Sequence, residues 1–229
     1  MRRVLRVGGR SPGSVSPARQ EEALLEWARY SGCLIDPGFA LAGLMTGGQE
    51  HDLRFDEENK RVVKVTREGV FGLSPGVEIE LRSSGKHQRV FKLWQATPYE
   101  YLERLRLQNL LVPDIVRLEG AVMDGDQLAV VTSQPQLEIS AVDQKTIDEW
   151  FVGRGFAKVT DSGYYRELGN IAVFDAHDKN VVRSGGDLIP FDVIPCHPSE
   201  SFKEFIRESI AGGEAMRVVK NASTRSRGE

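Results

Sequence analysis

Residues Thr97 to Val112, "TPYEYLERLRLQNLLV", spell a helix with its own start signal. Thr97 suits the N-cap, Pro98 the first helical position, and Glu100 closes a capping box. Leucines at 102, 105, 107, 110 and 111 cover much of the circumference, which predicts a well-buried helix. Alternating segments stand on both sides of it. Upstream, "HDLRFD" and "RVVKVT" are joined by "EENK" and read as a hairpin. Leu53 and Phe55 share one face of its first strand. In the second, Val63 and Val65 share one face, and Val62 and Lys64 the other. Downstream, "IVRLEGAVMDGDQLAVVTSQP" reads as a second hairpin turning at Asp124-Gly125-Asp126. Strand pairs, a helix, a second pair, another helix and then short strands make an α+β order rather than alternating βαβ.

The rest of the chain follows the same logic. "EEALLEWARYSG" carries Ala23, Leu24, Trp27 and Ala28 at helical spacing, with Gly32 as a stop. Between the first hairpin and the capped helix, "VEIEL" and "RVFKLWQ" are candidate strands. "DQKTIDEWFVGRGF" is a second helix, and "NIAVFD", "NVVRSG" and "DLIPFDVIP" are late strands. "SESFKEFIRESIAG" is a polar helix. These readings divide the chain into a disordered leader (1–19), a helical extension (20–43), a β-rich region with the capped helix (44–134), a smaller C-terminal region (135–212) and a polar tail (213–229).

With 40% hydrophobic and 28% charged residues, the 229-residue chain can bury a core. Its net charge of -3 offers no electrostatic reason to expect nucleic acid or an anionic membrane. No apolar run approaches the ~20 residues that span a bilayer. Cys33 and Cys196 are far apart, make no zinc pattern and suit reduced thiols in a cytoplasmic protein.

"NIAVFDAHDKNVV", Asn170 to Val182, packs polar groups between two apolar runs. Such a cluster serves turn geometry, a metal or chemistry. Asp175 and Asn180 are five positions apart, and Asp192 follows twelve residues later in "LIPFDVIP". The oxygens of Asn180 and Asp192 suit Mg²⁺, which takes few protein ligands. Asp175 could accept or orient a hydroxyl proton. The adjacent His177-Asp178 pair also occurs in HD-type metal phosphohydrolases, but its flanks here are β-like, and His51, His87 and His197 lack ligand spacing. "SSGKHQ" lacks the first Gly and the Ser or Thr of a P-loop.

The segment "DAHDKN" resembles the D-x-x-x-x-N catalytic loop of protein kinases and aminoglycoside-phosphotransferase-like enzymes. Asp192 falls where those families carry the magnesium-binding Asp, "RVVKV" resembles their lysine-bearing strand, and "GGQEH" stands at the place of the glycine-rich loop. The order over about residues 44 to 195 is most similar to the small kinase-like domains of bacterial and phage polyvalent proteins. The resemblance implies a bilobal kinase-like fold with a β-rich N-lobe and a much reduced C-lobe, acting as an ATP- and Mg²⁺-dependent phosphotransferase on an undefined protein or small-molecule acceptor. It implies Asp175 as catalytic base, Asn180 and Asp192 as metal ligands, and Lys64 on the nucleotide phosphates. Glu103 would hold Lys64, Gly47, Gly48 and Lys179 would lie along the nucleotide, and the adenine would lie near Val130 to Pro135.

The departures from the pattern are specific. Only Gly47 and Gly48 represent the glycine-rich loop, "VFD" replaces H-R-D, "DVI" replaces D-F-G, and 37 residues follow Asp192. They motivate an alternative reading as a pseudokinase or a nucleotide-binding interaction module.

Overall fold

The computed structural model describes residues 5–7, 15–47, 50–67, 69–81, 85, 87–138, 140–212 and 218–219. A short strand β1 (Leu5–Val7) and helix α1 (Pro17–Tyr30) come first, then the single-turn α2 (Pro37–Ala40). Ser16 caps α1 by accepting from the Arg19 N–H, with Pro17 at the first turn. Strands β2 (Met45–Gly47), β3 (His51–Asp56) and β4 (Arg61–Thr66) form a meander, followed by the long hairpin β5 (Leu73–Leu81) and β6 (His87–Gln95). Helix α3 (Pro98–Leu111) begins with both halves of the Thr97–Glu100 capping box in place.

Next come β7 (Arg117–Asp124), β8 (Gln127–Pro135) and α4 (Gln144–Val152). The remaining strands are β9 (Ala157–Thr160), β10 (Gly163–Arg166), β11 (Ile171–Phe174), β12 (Val181–Ser184), β13 (Asp187–Pro190) and β14 (Ile194–Cys196). Helix α5 (Glu200–Gly212) and strand β15 (Val218–Val219) follow. The fold is α+β. The hairpin β9–β10 is the one element pair that the sequence reading passes over. Strands β1 and β15 fall in the segments expected as leader and tail, and both join a sheet.

A five-stranded antiparallel sheet runs in the order β2-β3-β4-β8-β7. β4 and β8 are neighbours although β5, β6, α3 and β7 lie between them in sequence, so this pairing closes the sheet over a long loop. The alternation in β4 turns Val63 and Val65 toward Val122, Ala129, Val131 and Ala40. Lys64 and Thr66 therefore take the opposite face. A second sheet, β1-β5-β6-β15, holds the long hairpin. Its Val77 and Phe91 pack with Phe174, Ile194, Phe202 and Ile206 of the C-terminal elements. The strands expected in one N-terminal region are thus divided between two sheets.

A third sheet, β14-β11-β10-β9, and the β12–β13 hairpin complete the chain. Helix α3 is the tie between the parts: Tyr101 enters the core with Leu24, Ala121 and Val130, and Leu107 enters the one with Ile147, Phe151, Val173 and Val193. Its leucine surround is less buried than expected, since Leu110 stays exposed while Tyr101, Arg104, Leu107 and Gln108 are buried. Leu107 takes the most buried position of the helix, and beside it Tyr101, Arg104 and Gln108 line a cleft. Cys33 and Cys196 are free thiols. Among the described residues no helix is long and apolar enough to cross a membrane.

Candidate active site

Lys64 sits near the centre of the five-stranded sheet, opposite Leu53 on β3 and Thr132 on β8. Its ammonium lies 3.2 Å from Oδ1 of Asp192, a residue 128 positions away. The Lys64 side chain is 10% exposed and that of Asp192 39%. A lysine at that depth needs a counter-ion, because an unpaired charge there would lose its hydration without compensation. The strand pairing that turns Val63 inward is thus also what aims Lys64 at the loop between β13 and β14.

Helix α3 sends Tyr101, Arg104 and Gln108 into the same space. Offsets of three and four residues put the three on one face. Arg104 is buried. Its Nη1 is 2.8 Å from Glu50 Oε2, its Nε donates to the Val193 carbonyl at 3.2 Å, and its Nη2 is 3.7 Å from Asp192 Oδ1. His51 Nε2 is 2.8 Å from the Tyr101 hydroxyl. The carbonyl of Phe191, next to Asp192, accepts from Gln108 Nε2 and, at 2.9 Å, from Gln134 Nε2. Helix α3 and strand β8 therefore both anchor the Asp192 segment. The side chains leave a cavity of only about 10 Å³ among themselves.

Two cations, Lys64 and Arg104, face two anions, Glu50 and Asp192, so the cluster is balanced. Burial pushes the Asp192 carboxyl up, but Lys64 and Arg104 outweigh it and hold it below its ordinary value. Burial, reinforced by Lys64 and Arg104, drives His51 down to about 3, so its imidazole is neutral at physiological pH. For Arg104, burial works against the charge, while Glu50 and Asp192 restore it and raise the value.

The polar segment after β11 is built as a tight loop. Asp175 has φ 59°, a left-handed conformation that Asp tolerates better than most residues. Asn180 Nδ2 donates to the Asp175 carbonyl at 2.8 Å and to Asp175 Oδ2 at 2.9 Å. The Asn180 carbonyl accepts the Phe191 N–H at 3.0 Å and the Asp192 N–H at 3.4 Å. Turn chemistry and clustering coincide here: the bonds that close the loop also place Asp175, Asn180 and Asp192 side by side. Beneath the loop, Gln144 of α4 donates to the Ala176 carbonyl at 3.2 Å.

Asn180 spends its amide nitrogen on Asp175, and no bond to its Oδ1 is formed among the described residues. That oxygen and the Asp192 carboxylate, which keeps 39% of its side chain exposed, are hard donors of the kind Mg²⁺ prefers. Among the described residues no group of three or more His, Cys, Asp or Glu gathers to hold a metal. The set fits a cation that takes most of its ligands from water and phosphate.

The expected Glu103–Lys64 pair is not formed. Glu103 accepts from two nitrogens of Arg106, Nε and Nη2, each at 2.8 Å, and lies 3.4 Å from His197 Nε2. The neighbouring position, Arg104, points into the cleft, so the helix presents a cation to Lys64 rather than a carboxylate. Gly47 ends β2 opposite His51, where a Cβ would stand 2.1 Å from Leu53 Cγ. Gly48 lies outside the described residues. Lys179 is exposed, and its bond to the loop is a backbone one, N–H to His177 Nδ1 at 3.2 Å.

Sequence reasoning missed Glu50, His51, Tyr101, Arg104, Gln108 and Gln134 as members of the cluster. One signal was available: Tyr101, Arg104 and Gln108 form a polar stripe on a leucine-rich helix. No curated protein and no solved structure matches the chain. The sequence model of the serine/threonine/tyrosine kinase found in polyvalent proteins matches residues 17–195, taking in α1 as well as every element from β2 to β14. With well over half its length matched, and Lys64, Asp175, Asn180 and Asp192 gathered in one region, the chain belongs to the family of kinases found in polyvalent proteins.

Proposed function

We propose that the protein is an ATP- and Mg²⁺-dependent phosphotransferase with a reduced two-lobed kinase architecture. The observation that carries this reading is the 3.2 Å contact between Lys64 and Asp192, made across 128 residues beside the Asp175–Asn180 loop. Support for two lobes comes from the two separate cores that α3 joins, one holding Tyr101 with Leu24, Ala121 and Val130, the other Leu107 with Ile147, Phe151 and Val173.

Phosphoryl transfer asks a protein for alignment and charge neutralisation more than for covalent chemistry. Lys64 binds phosphate oxygens as a point charge. Asp192 and the Oδ1 of Asn180 hold the metal, which when bound supplies charge neutralisation at the phosphates. The bond from Asn180 Nδ2 orients Asp175. Asp175 accepts the proton of the acceptor hydroxyl as its oxygen bonds to the γ-phosphorus and the bond to the bridging oxygen of ADP breaks. Adenine lies along β8 near Val130 to Pro135. Gly47 and Lys179 line the nucleotide's path, and two free thiols suit a reducing cytoplasm.

The test is incubation with γ-labelled ATP and Mg²⁺, comparing the protein with Asp175→Asn. Label transferred by the unaltered protein and lost by about a hundredfold or more in the variant supports the reading. Equal transfer by both removes the role of Asp175. A second reading, a nucleotide-binding module without turnover, is favoured by the departures from the kinase pattern: only Gly47 and Gly48 stand for the glycine-rich loop, "VFD" replaces H-R-D, and Glu103 bonds Arg106 rather than Lys64. Nucleotide binding with no transfer to any acceptor would select it.

A further inference from the structure

The five-stranded sheet has a second face. The alternation that aims Lys64 at Asp192 turns Arg61 and Val63 the other way. The register carries that face across the sheet. Arg54 of β3 stands opposite Val63 and Asp56 opposite Arg61, while Val63 also faces Ser133 of β8, and Ser133 faces Arg117 of β7. A cavity of about 590 Å³ opens over these residues. Sites for small molecules span ~300–1,000 Å³. Buried Val63 and Val131 line it from the sheet, and Phe39 and Ala40 line it from α2. Asp36 caps α2 by accepting from the Phe39 N–H at 3.3 Å. Arg54 donates to the Phe39 and Ala42 carbonyls, and its guanidinium lies 4.9 Å from the centroid of the Phe39 ring. These bonds fix α2 to β3 as one wall of the cavity.

Three guanidinium groups line the space, those of Arg54, Arg61 and Arg117. Among the described residues none of them forms an ion pair. Arg54 is spent on carbonyls. Arg61 crosses to β8, where its Nε donates to Ser133 Oγ at 2.7 Å and its Nη2 to the Ser133 carbonyl at 3.0 Å. Arg117 stands opposite that same Ser133, and cross-strand neighbours hold their Cβ atoms ~5 Å apart. Two cations therefore come together over one residue. The two acids of the lining are engaged elsewhere. Asp56 accepts from the N–H and the side-chain amide of Asn59 at 3.0 and 2.9 Å, and Glu119 accepts from the Ser133 hydroxyl. Burial first and Arg117 second push the Arg61 guanidinium below its ordinary value, and Glu119 and Asp56 do not offset them. Unpaired guanidinium beside a valine-lined surface is matched by a ligand with an anionic group and an apolar body, since a guanidinium offers a fork of donors to acid oxygens.

We propose that this cavity binds a small organic acid. Its carboxylate, sulfonate or phosphate is held between Arg61 and Arg117, and its apolar body lies on Val63, Val131 and Phe39. The site is on the face of the sheet away from Lys64, so it does not depend on what the Lys64 cleft binds.

The experiment is fluorescence titration with two probes, anilinonaphthalene sulfonate and phenylnaphthylamine, which has the same rings without the acid. The proteins are the full chain, Arg117→Gln, the double variant Arg61→Gln/Arg117→Gln, and Lys64→Met, which alters the cleft on the other face. Glutamine at 61 keeps a donor for Ser133, and a melting curve of each protein confirms that it is folded. The full chain is expected to bind one sulfonate probe. Arg117→Gln is expected to bind it about tenfold more weakly and the double variant more weakly still, with Lys64→Met equal to the full chain. The uncharged probe is expected to be unaffected by the arginine changes. No binding of the sulfonate, equal binding by the double variant, weaker binding by Lys64→Met, or a parallel loss of the uncharged probe overturns the inference.

Discussion

His51 makes a quantitative demand on the stability of the protein. Its imidazole is buried beside Lys64 and Arg104 and bonded to the Tyr101 hydroxyl at 2.8 Å, with its proton affinity lowered to about 3 from 6.5. The unfolded chain binds a proton there near pH 6.5 and the folded chain does not, so stability rises with pH across the interval between the two values. The contribution is complete above about pH 6.5 and is lost progressively as pH falls toward about 3. At 1.36 kcal/mol per unit, the whole interval is worth about 5 kcal/mol, and the step from pH 7 to pH 5 about 2 kcal/mol. Urea unfolding at those two pH values, in EDTA, measures it. His51→Gln removes the titration and keeps a group that can bond Tyr101. The unaltered protein should lose about 2 kcal/mol more than the variant between pH 7 and pH 5, at similar m-values. Equal losses would mean that His51 protonates freely in the folded state, and the picture of a balanced, water-poor cluster would fail.

Two further outcomes follow from other contacts. Glu103→Gln should leave ATP affinity unchanged in a titration and cost less than about 1 kcal/mol in chemical unfolding, because its partners Arg106 and His197 are surface groups away from the cleft. Gly120→Ala should destabilise by about 1–3 kcal/mol, since a Cβ there would stand 2.1 Å from the backbone carbonyl of Cys33, and backbone cannot give way as a side chain can; a melting temperature equal to that of the unaltered protein would contradict it.

Local signals carried the secondary structure well. The capping box at Thr97, the Asp-Gly turn at 124–126 and the alternation around Lys64 each depend on neighbours within a few residues, and each has its expected local structure. The hairpin β9–β10 has no such signal, because its short strands lie amid Gly, Asp and Ser without a long alternating run. The grouping of strands into sheets was harder. Nothing local tells β5 and β6 to pack against α5 rather than beside β4, a choice made by Val77 and Phe91 meeting Phe202 and Ile206 far along the chain. At the site, Asp175 and Asn180 were legible as a pair because one loop holds both. The residue that α3 gives to the cleft was not, because Glu103 and Arg104 are adjacent in sequence and about 100° of helical rotation decides which faces it. That rotation is set by Leu107 in one core and Tyr101 in another, which no single-helix pattern reports.

The most direct measurement is the affinity of Mg²⁺-ATP for the protein compared with Lys64→Met and Asp192→Ala, read by calorimetry and by thermal shift. Ligand at 100 times its Kd should stabilise the unaltered protein by about 2.7 kcal/mol. Binding should need Mg²⁺, and each variant should lose at least about tenfold in affinity. A nucleotide that bound both variants as tightly as the unaltered protein, or bound without regard to Mg²⁺, would contradict the assignment of the Lys64–Asp192 contact as the phosphate site.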